Sequence, residues 1–111
     1  MMLPVFLNPP AISKYSLQLS FTLSKDLFWF AGHFPEQAIF PGVAQIDWVM
    51  HYAQTYFNIT AFGGIDVVKF QSPLCPEDDV VLTIDWLFEK NKLKFEYAKS
   101  NKIASTGQIN L

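Results

Sequence analysis

The sequence contains no arginine, a single cysteine and no long hydrophobic run. Arginine supplies most bidentate contacts to phosphates and base edges, so its absence argues against nucleic acid as a partner. The lone Cys75 cannot form an internal disulfide, which is typical of a reducing compartment. No apolar stretch approaches the ~20 residues of a membrane-spanning helix, and the N-terminal stretch has no basic leader. We therefore expect a cytoplasmic protein with no membrane span.

Apolar residues are abundant for so short a chain. Half of the 111 residues are hydrophobic, 11 are phenylalanine, and the formal net charge is only -2. We expect residues 1–111 to form one domain, because a chain of this length holds one modest core. The apolar surplus favours either a pocket for an apolar ligand or a subunit interface.

The hydrophobic pattern predicts one helix among antiparallel strands. Residues 15–23 alternate polar and apolar, as a half-buried strand does. From Val43 the period becomes helical, which predicts a helix over residues 43–57 that is entered through Pro41-Gly42. Neither lysine nor glutamate occurs in this helix. We therefore expect other elements to wrap it on nearly all sides.

Further strands are predicted over 27–30, 65–72, 79–88, 93–99 and 103–111, the first of these being strand or extended chain. In the third, Leu82, Ile84, Trp86 and Phe88 share one face. Short turns join the later strands, so they pair antiparallel. The predicted fold class is α+β, with one long central helix wrapped by a five- or six-stranded antiparallel sheet.

The loop and the helix start carry the motif residues. Gly32-His33-Phe34-Pro35, Pro41-Gly42-Val43 and Asp47 follow one another at fixed spacing. This pattern resembles the signature of hot-dog-fold 3-hydroxyacyl-acyl-carrier-protein dehydratases. Residues 68–73, followed by Asp78-Asp79, resemble the Lys-Phe-x-x-Pro strand of that family. The short chain is most similar to the small dehydratases of aryl-polyene pathways.

The resemblance implies a dehydration that needs no cofactor and no metal. His33 would remove the proton next to the thioester carbonyl, since the pKa of an unperturbed imidazole is about 6.5. Asp47 would protonate the leaving hydroxyl, and burial among apolar groups would keep it protonated. The Gly42 or Val43 amide, at the positive end of the helix dipole, would bind the carbonyl oxygen. Pro41 would support this helix start.

The resemblance also implies partners. The substrate would be a 3-hydroxyacyl group on acyl carrier protein, which Lys69 could attract by its charge. A homodimer would bring His33 of one protomer to Asp47 of the other, and a heterodimer with a related dehydratase is the alternative. Four apolar side chains are candidates for lining the substrate tunnel, although such residues more often belong to the core, and in a hot-dog dimer they could do both: Phe34, Phe40, Trp48 and Met50.

Two positions depart from the family pattern. Asp47 stands where the most common branch has glutamate, although a branch that also isomerises its product uses aspartate. His51 replaces the usual glutamine four residues later, where it would either orient Asp47 or hold it ionised. Two other functions stay open, namely an acyl thioesterase on the same fold and a non-catalytic partner subunit of a dehydratase heterodimer.

Overall fold

A computed structural model describes residues 3–27, 30 and 39–111. Within this part of the chain, one α-helix packs against one six-stranded sheet. Every strand pair is antiparallel, and the order across the sheet is β1-β2-β4-β5-β6-β3. The elements are β1 Ala11–Ile12, β2 Ser16–Thr22, α1 Gly42–Phe57, β3 Ile65–Phe70, β4 Asp79–Leu87, β5 Lys92–Lys99 and β6 Lys102–Asn110.

The helix α1 agrees closely with its prediction. Pro41 precedes it in an extended conformation, with φ -72° and ψ 154°, and the proline ring restricts φ to such values. Asn58 ends it in the left-handed conformation, where the Asn58 N–H donates to the Gln54 carbonyl and the Ile59 N–H donates to the Ala53 carbonyl. Asparagine tolerates this conformation better than most residues, which makes it a good helix terminator. In the described ranges, no helix is long and apolar enough to cross a membrane.

The strand predictions hold for β2 to β6, with two corrections. β4 ends at Leu87, and Phe88 lies in a short 3-10 turn with 59% of its surface exposed, so the prediction that Phe88 belongs to this strand was wrong. Residues 28 and 29 lie outside the described part. At the ends of that segment, the Leu27 N–H donates to the Ser24 carbonyl and the Phe30 N–H to the Leu27 carbonyl. These i to i−3 bonds are typical of turns, so neither Leu27 nor Phe30 lies in a strand.

The short strand β1 was not predicted. It pairs with the outer edge of β2 directly after Pro9 and Pro10. A further bridge joins Phe6 to Phe21 on the same edge. Two residues are too few to show an alternating pattern, so hydrophobic periodicity cannot detect a strand of this length.

The core lies between the sheet and α1. The Trp48 ring packs against the rings of Phe21 and Phe40, with centroids 5.4 and 4.5 Å away. Alternate residues of the central strands point toward the helix and are fully or almost fully buried: Leu17, Leu19, Val80, Leu82, Ile84, Leu93, Phe95 and Tyr97. Among the described residues, this arrangement leaves one face of α1 and the edge strand β3 uncovered.

Candidate active site

Within the described part of the chain, the start of α1 has no side-chain cap. The Gln45 N–H donates to the Pro41 carbonyl at 3.0 Å and begins the helical hydrogen-bond pattern. The amides of Gly42, Val43 and Ala44 come before this bond, so the helix itself offers them no acceptor. The first turn contains no acidic residue and no capping side chain. These amides therefore stand at the positive end of the helix dipole without a compensating charge in that turn.

Gly42 lies against the ring of Phe70 on β3. A Cβ added at Gly42 would overlap the Phe70 Cζ atom, so only glycine allows this close approach. Beside this contact is an open cavity of about 300 Å³, which we call the N-terminal cleft. Its lining residues are Ile39, Phe40, Gly42, Gln45, Phe70, Gln71, Ser72 and Pro73.

Asp47 is exposed in the single chain, which corrects the expectation that apolar neighbours bury it. It lies on the same side of α1 as Val43, which is 64% exposed, because residues four apart share a helix face. The opposite side of α1 is the buried one. Nothing else in the described chain covers the Val43–Asp47 side, so the helix is wrapped on one side only. Burial that would favour the neutral carboxyl requires an additional covering element.

A second open cavity, the Asp47 cleft, has a volume of about 380 Å³. Its lining residues are Ile46, Asp47, Met50, His51, Gln54, Ile59, Thr60 and Phe62. The cleft is walled by apolar side chains and carries Asp47 and His51 as its titratable groups. It therefore combines apolar space with a carboxyl group on the uncovered side of the helix.

His51 shares this cleft with Asp47 but packs elsewhere. Its ring meets the Tyr52 ring edge-on, with centroids 5.2 Å apart. Between the described side chains of Asp47 and His51 there is no hydrogen bond in the single chain. The structure thus gives His51 an aromatic packing contact, and neither an orienting nor an ionising role follows from its geometry.

The tunnel candidates are separated by the fold. Trp48 is fully buried in the core and lines neither cleft. Phe40 is buried but forms part of the wall of the N-terminal cleft, and Met50 lines the Asp47 cleft. The predictions for His33 and Phe34 lie outside the described residues.

Lys69 lies on the outer face of the sheet. Its neighbour Val68 pairs with Gly107, where an added Cβ would meet the Phe95 ring in the core. Successive residues of a strand point to opposite faces, so Lys69, paired with Thr106, points away from α1. Lys69 is exposed there, at the edge of the sheet.

A buried polar group that sequence reasoning missed is Gln45, which is only 3% exposed. Its Nε2 donates to the Phe40 carbonyl at 3.1 Å, and its Oε1 accepts from Ser105 Oγ at 2.6 Å. The Tyr97 hydroxyl donates to the Gln45 backbone carbonyl at 2.6 Å. Burial raises the pKa of Tyr97 well above its usual range. The sequence carried no signal for this burial, because it does not show which face α1 turns toward the sheet.

Metal ligands do not cluster in the ranges that the structure describes. Among residues 3–27, 30 and 39–111, no three side chains of His, Cys, Asp or Glu stand close enough to share an ion. Cys75 has a structural setting, since its N–H donates to Asp78 Oδ2 at 2.7 Å.

One helix held against a six-stranded antiparallel sheet, with its free N-terminus beside an edge strand, defines a hot-dog-fold protein. Residues 10–108 match the family profile described as ApeI-like, ApeI dehydratase. Because this match covers most of the chain, the chain belongs to the ApeI-like dehydratase family.

Two solved structures are similar over nearly the whole chain. A chain of the dehydratase heterocomplex ApeI:P from Xenorhabdus doucetiae is 42% identical, with a TM-score of 0.90 and coverage of 98% of this chain and 97% of that one. An uncharacterised protein from Erwinia carotovora is 38% identical, with a TM-score of 0.85 and coverage of 98% and 95%. Thioesterase superfamily member 2 from Mus musculus shares the fold alone. It is 12% identical, with a TM-score of 0.67 and coverage of 89% of this chain and 81% of that one.

The curated relatives are 3-hydroxyacyl-acyl-carrier-protein dehydratases named FabZ. The protein from Pasteurella multocida is 41% identical over 70 residues, which are 55% of this chain and 46% of that protein. The protein from Sorangium cellulosum is 31% identical over 94 residues, which are 73% of this chain and 61% of that protein. The chain thus matches roughly half to three fifths of these relatives' length.

Proposed function

We propose that this chain is a dehydratase that converts a 3-hydroxyacyl thioester on acyl carrier protein into the trans-2-enoyl thioester and water. The observation that carries the proposal is the arrangement along one side of α1. The helix start, which has no side-chain cap among the described residues, opens beside the N-terminal cleft. Asp47 follows on the exposed side that it shares with Val43, about 7.5 Å along the axis from Gly42 at ~1.5 Å per residue. A thioester carbonyl and its 3-hydroxyl group require sites separated by a few ångströms in this way.

In the proposed mechanism, the carbonyl oxygen accepts hydrogen bonds from the Gly42 or Val43 amide. These donors stabilise the negative charge that develops when the neighbouring carbon loses its proton to His33. The electron pair released by this C–H bond forms the C2–C3 double bond, and the C3–O bond breaks. Asp47 gives its proton to the departing oxygen, which leaves as water.

The same proposal includes a second chain. In the isolated protomer Asp47 is exposed, and β3 presents Val67 and Phe70, each 53% exposed, at an edge of the sheet that no described strand covers. Pairing of β3 with β3 of another copy would satisfy the edge and cover these apolar groups. The family resemblance implies that His33 of one protomer then meets Asp47 of the other. A related dehydratase chain is the alternative partner, in line with the heterocomplex from Xenorhabdus doucetiae.

Lys69 is our proposed contact for the acidic carrier, on the exposed outer face of β3. Lys69→Glu should raise the KM for a carrier-linked substrate and leave turnover of a small acyl-thioester analogue unchanged. Lys94→Glu is the control, because Lys94 is also exposed but lies on β5, away from the edge. Equal effects of both variants would remove Lys69 from the proposal.

We also propose a cytoplasmic, fatty-acid or aryl-polyene type pathway as the setting.

The direct test measures enoyl product by mass spectrometry from a 3-hydroxyacyl carrier substrate. His33→Ala and Asp47→Asn should each lower kcat by at least about 100-fold, the usual contribution of a general acid or base. Asp26→Asn is the matched control for Asp47, since Asp26 is exposed on a distant turn. Normal turnover by both site variants would refute the assignment. Release of free thiol from acyl thioesters, without enoyl formation, would establish the thioesterase instead.

A third outcome identifies a non-catalytic subunit. The purified chain would then be inert alone and active only when co-purified with a related dehydratase. Asp47→Asn in the mixed complex would in that case leave activity unchanged.

A further inference from the structure

Gln45 holds the carbonyl group that precedes the helix start. Its side chain is almost fully buried, and its Nε2 donates to the Phe40 carbonyl at 3.1 Å. The Phe40 N–H donates in turn to the Leu74 carbonyl at 2.7 Å. Both polar groups of the Phe40 backbone are therefore fixed by partners inside the protein.

Ser105 sets which way the Gln45 amide points. Its hydroxyl, fully buried on β6, donates to Gln45 Oε1 at 2.6 Å. Rotation of the amide by half a turn would place Oε1 against the Phe40 carbonyl, where two acceptors would repel each other. The network is thus satisfied in one orientation only, and a buried network satisfied in one way is rigid.

A single residue, Pro41, connects the fixed Phe40 carbonyl to the start of α1. Pro41 separates Phe40 from Gly42, and its ring restricts φ to near its observed -72°. Only ψ of Pro41, observed at 154°, then remains to set the direction of the Gly42 N–H. Fixing the Phe40 carbonyl therefore restricts where the first helical amides point.

We propose that Gln45, oriented by Ser105, is a positioning residue that aims the Gly42 and Val43 amides at the substrate carbonyl. The inference rests on the proposed function, because those amides are its carbonyl-binding donors. It predicts a loss that falls on kcat, since misdirected donors weaken the transition state more than the ground state.

Tyr97 provides a matched control. The Tyr97 hydroxyl also makes a 2.6 Å hydrogen bond to Gln45, but to the backbone carbonyl, and it makes no hydrogen bond to the Phe40 carbonyl. Tyr97→Phe removes one buried helix-to-sheet hydrogen bond and leaves the Gln45 side-chain amide in place. A purely stabilising role for Gln45 would make the two variants behave alike.

The experiment compares Gln45→Met, Ser105→Ala and Tyr97→Phe in the full chain. Gln45→Met should lower kcat by roughly 10- to 100-fold with KM within about twofold, because small misplacements of catalytic groups have effects of this order. The ¹H–¹⁵N chemical shifts of Gly42 and Val43 should move as well. Ser105→Ala should show a smaller change of the same kind. Tyr97→Phe should keep the wild-type kcat and both shifts.

Three results would overturn the inference: wild-type kcat in folded Gln45→Met, equal loss of kcat in Gln45→Met and Tyr97→Phe, or, if Gln45→Met fails to fold, wild-type kcat in Ser105→Ala. If the wild-type protein forms no enoyl product, the proposed function fails. The amide shifts of the same variants then still decide whether Gln45 positions Gly42 and Val43.

Discussion

Gly107 on β6 lies directly opposite Phe95 on β5, and the Phe95 ring occupies the space in which a Cβ at position 107 would stand. An added Cβ would come within 2.6 Å of the ring and 2.8 Å of the Val67 carbonyl oxygen. The first atom belongs to a core side chain and the second to the backbone of β3. A side chain at position 107 would therefore disturb three neighbouring strands together.

Gly107→Ala should lower the free energy of unfolding by about 1–3 kcal/mol, the usual cost of overpacking. Chemical denaturation measures this change in the free energy of unfolding. Thr106→Ala is the neighbouring control and should have a much smaller effect. In a double-mutant cycle with Phe95→Leu, the two changes should be less than additive, because the smaller side chain relieves part of the clash. Full additivity would contradict the proposed overlap.

Two ion pairs of similar length should differ in their contribution to stability. Lys99 Nζ lies 2.8 Å from Asp78 Oδ2, which also accepts the Cys75 N–H, whereas Lys92 Nζ lies 2.7 Å from the more exposed Asp66 Oδ2. Asp78→Ala should cost about 1.5–3 kcal/mol, because a backbone donor loses a charged acceptor. Asp66→Ala should cost at most about 1 kcal/mol, as surface pairs do.

Thermal or urea unfolding at low and at high salt measures both variants. Added salt should reduce the cost of Asp66→Ala more than that of Asp78→Ala, since exposed pairs are screened more strongly. Equal costs for the two variants would show that the Cys75 hydrogen bond adds nothing.

Stability should fall in alkaline solution because of the buried tyrosines. Burial raises the pKa of Tyr97 well above the usual value of 10.0, and burial with the nearby Tyr56 phenol raises that of Tyr52. The stabilisation is fully present below pH 10, where folded and unfolded chains both keep these protons. Above it the unfolded chain ionises first, so each phenol lowers the free energy of unfolding by up to about 1.4 kcal/mol per pH unit.

Urea titrations between pH 8 and 11 measure this slope. Tyr97→Phe should make the decline shallower, since one of the raised groups is removed. A slope unchanged by this substitution would show that Tyr97 ionises equally in the folded and unfolded chains.

The dimer that we propose through β3 should depend on the exposed apolar residues of this strand. Val67→Lys places a charge in the middle of the open edge, and we expect it to shift the protein from dimer to monomer in light scattering and sedimentation. It should lower activity in parallel, if the site requires both chains. Val81→Lys is the control, because Val81 is an exposed valine on the interior strand β4. A Val67→Lys variant that remains dimeric would place the interface elsewhere.

The helix and the later strands could be predicted because their signals are local. Pro41 and Asn58 mark the two ends of α1, and alternation marks β2, β4 and β5. The burial of Gln45 and the exposure of Asp47 could not be predicted, since both are polar residues in one apolar helix. Which of them turns inward depends on the rotation of α1 against the sheet, and tertiary packing sets this rotation.

The two borders of the sheet are unequal. On the β2 side, the proline-preceded strand β1 and the Phe6 bridge occupy the outer edge, whereas the six residues of β3 have no neighbouring strand on their outer side in the described ranges. Two copies joined symmetrically through β3 would use up the only long free border that each described chain has. Growth would therefore stop at a closed pair instead of continuing into a fibre, because a self-complementary contact leaves no equivalent surface for a third copy.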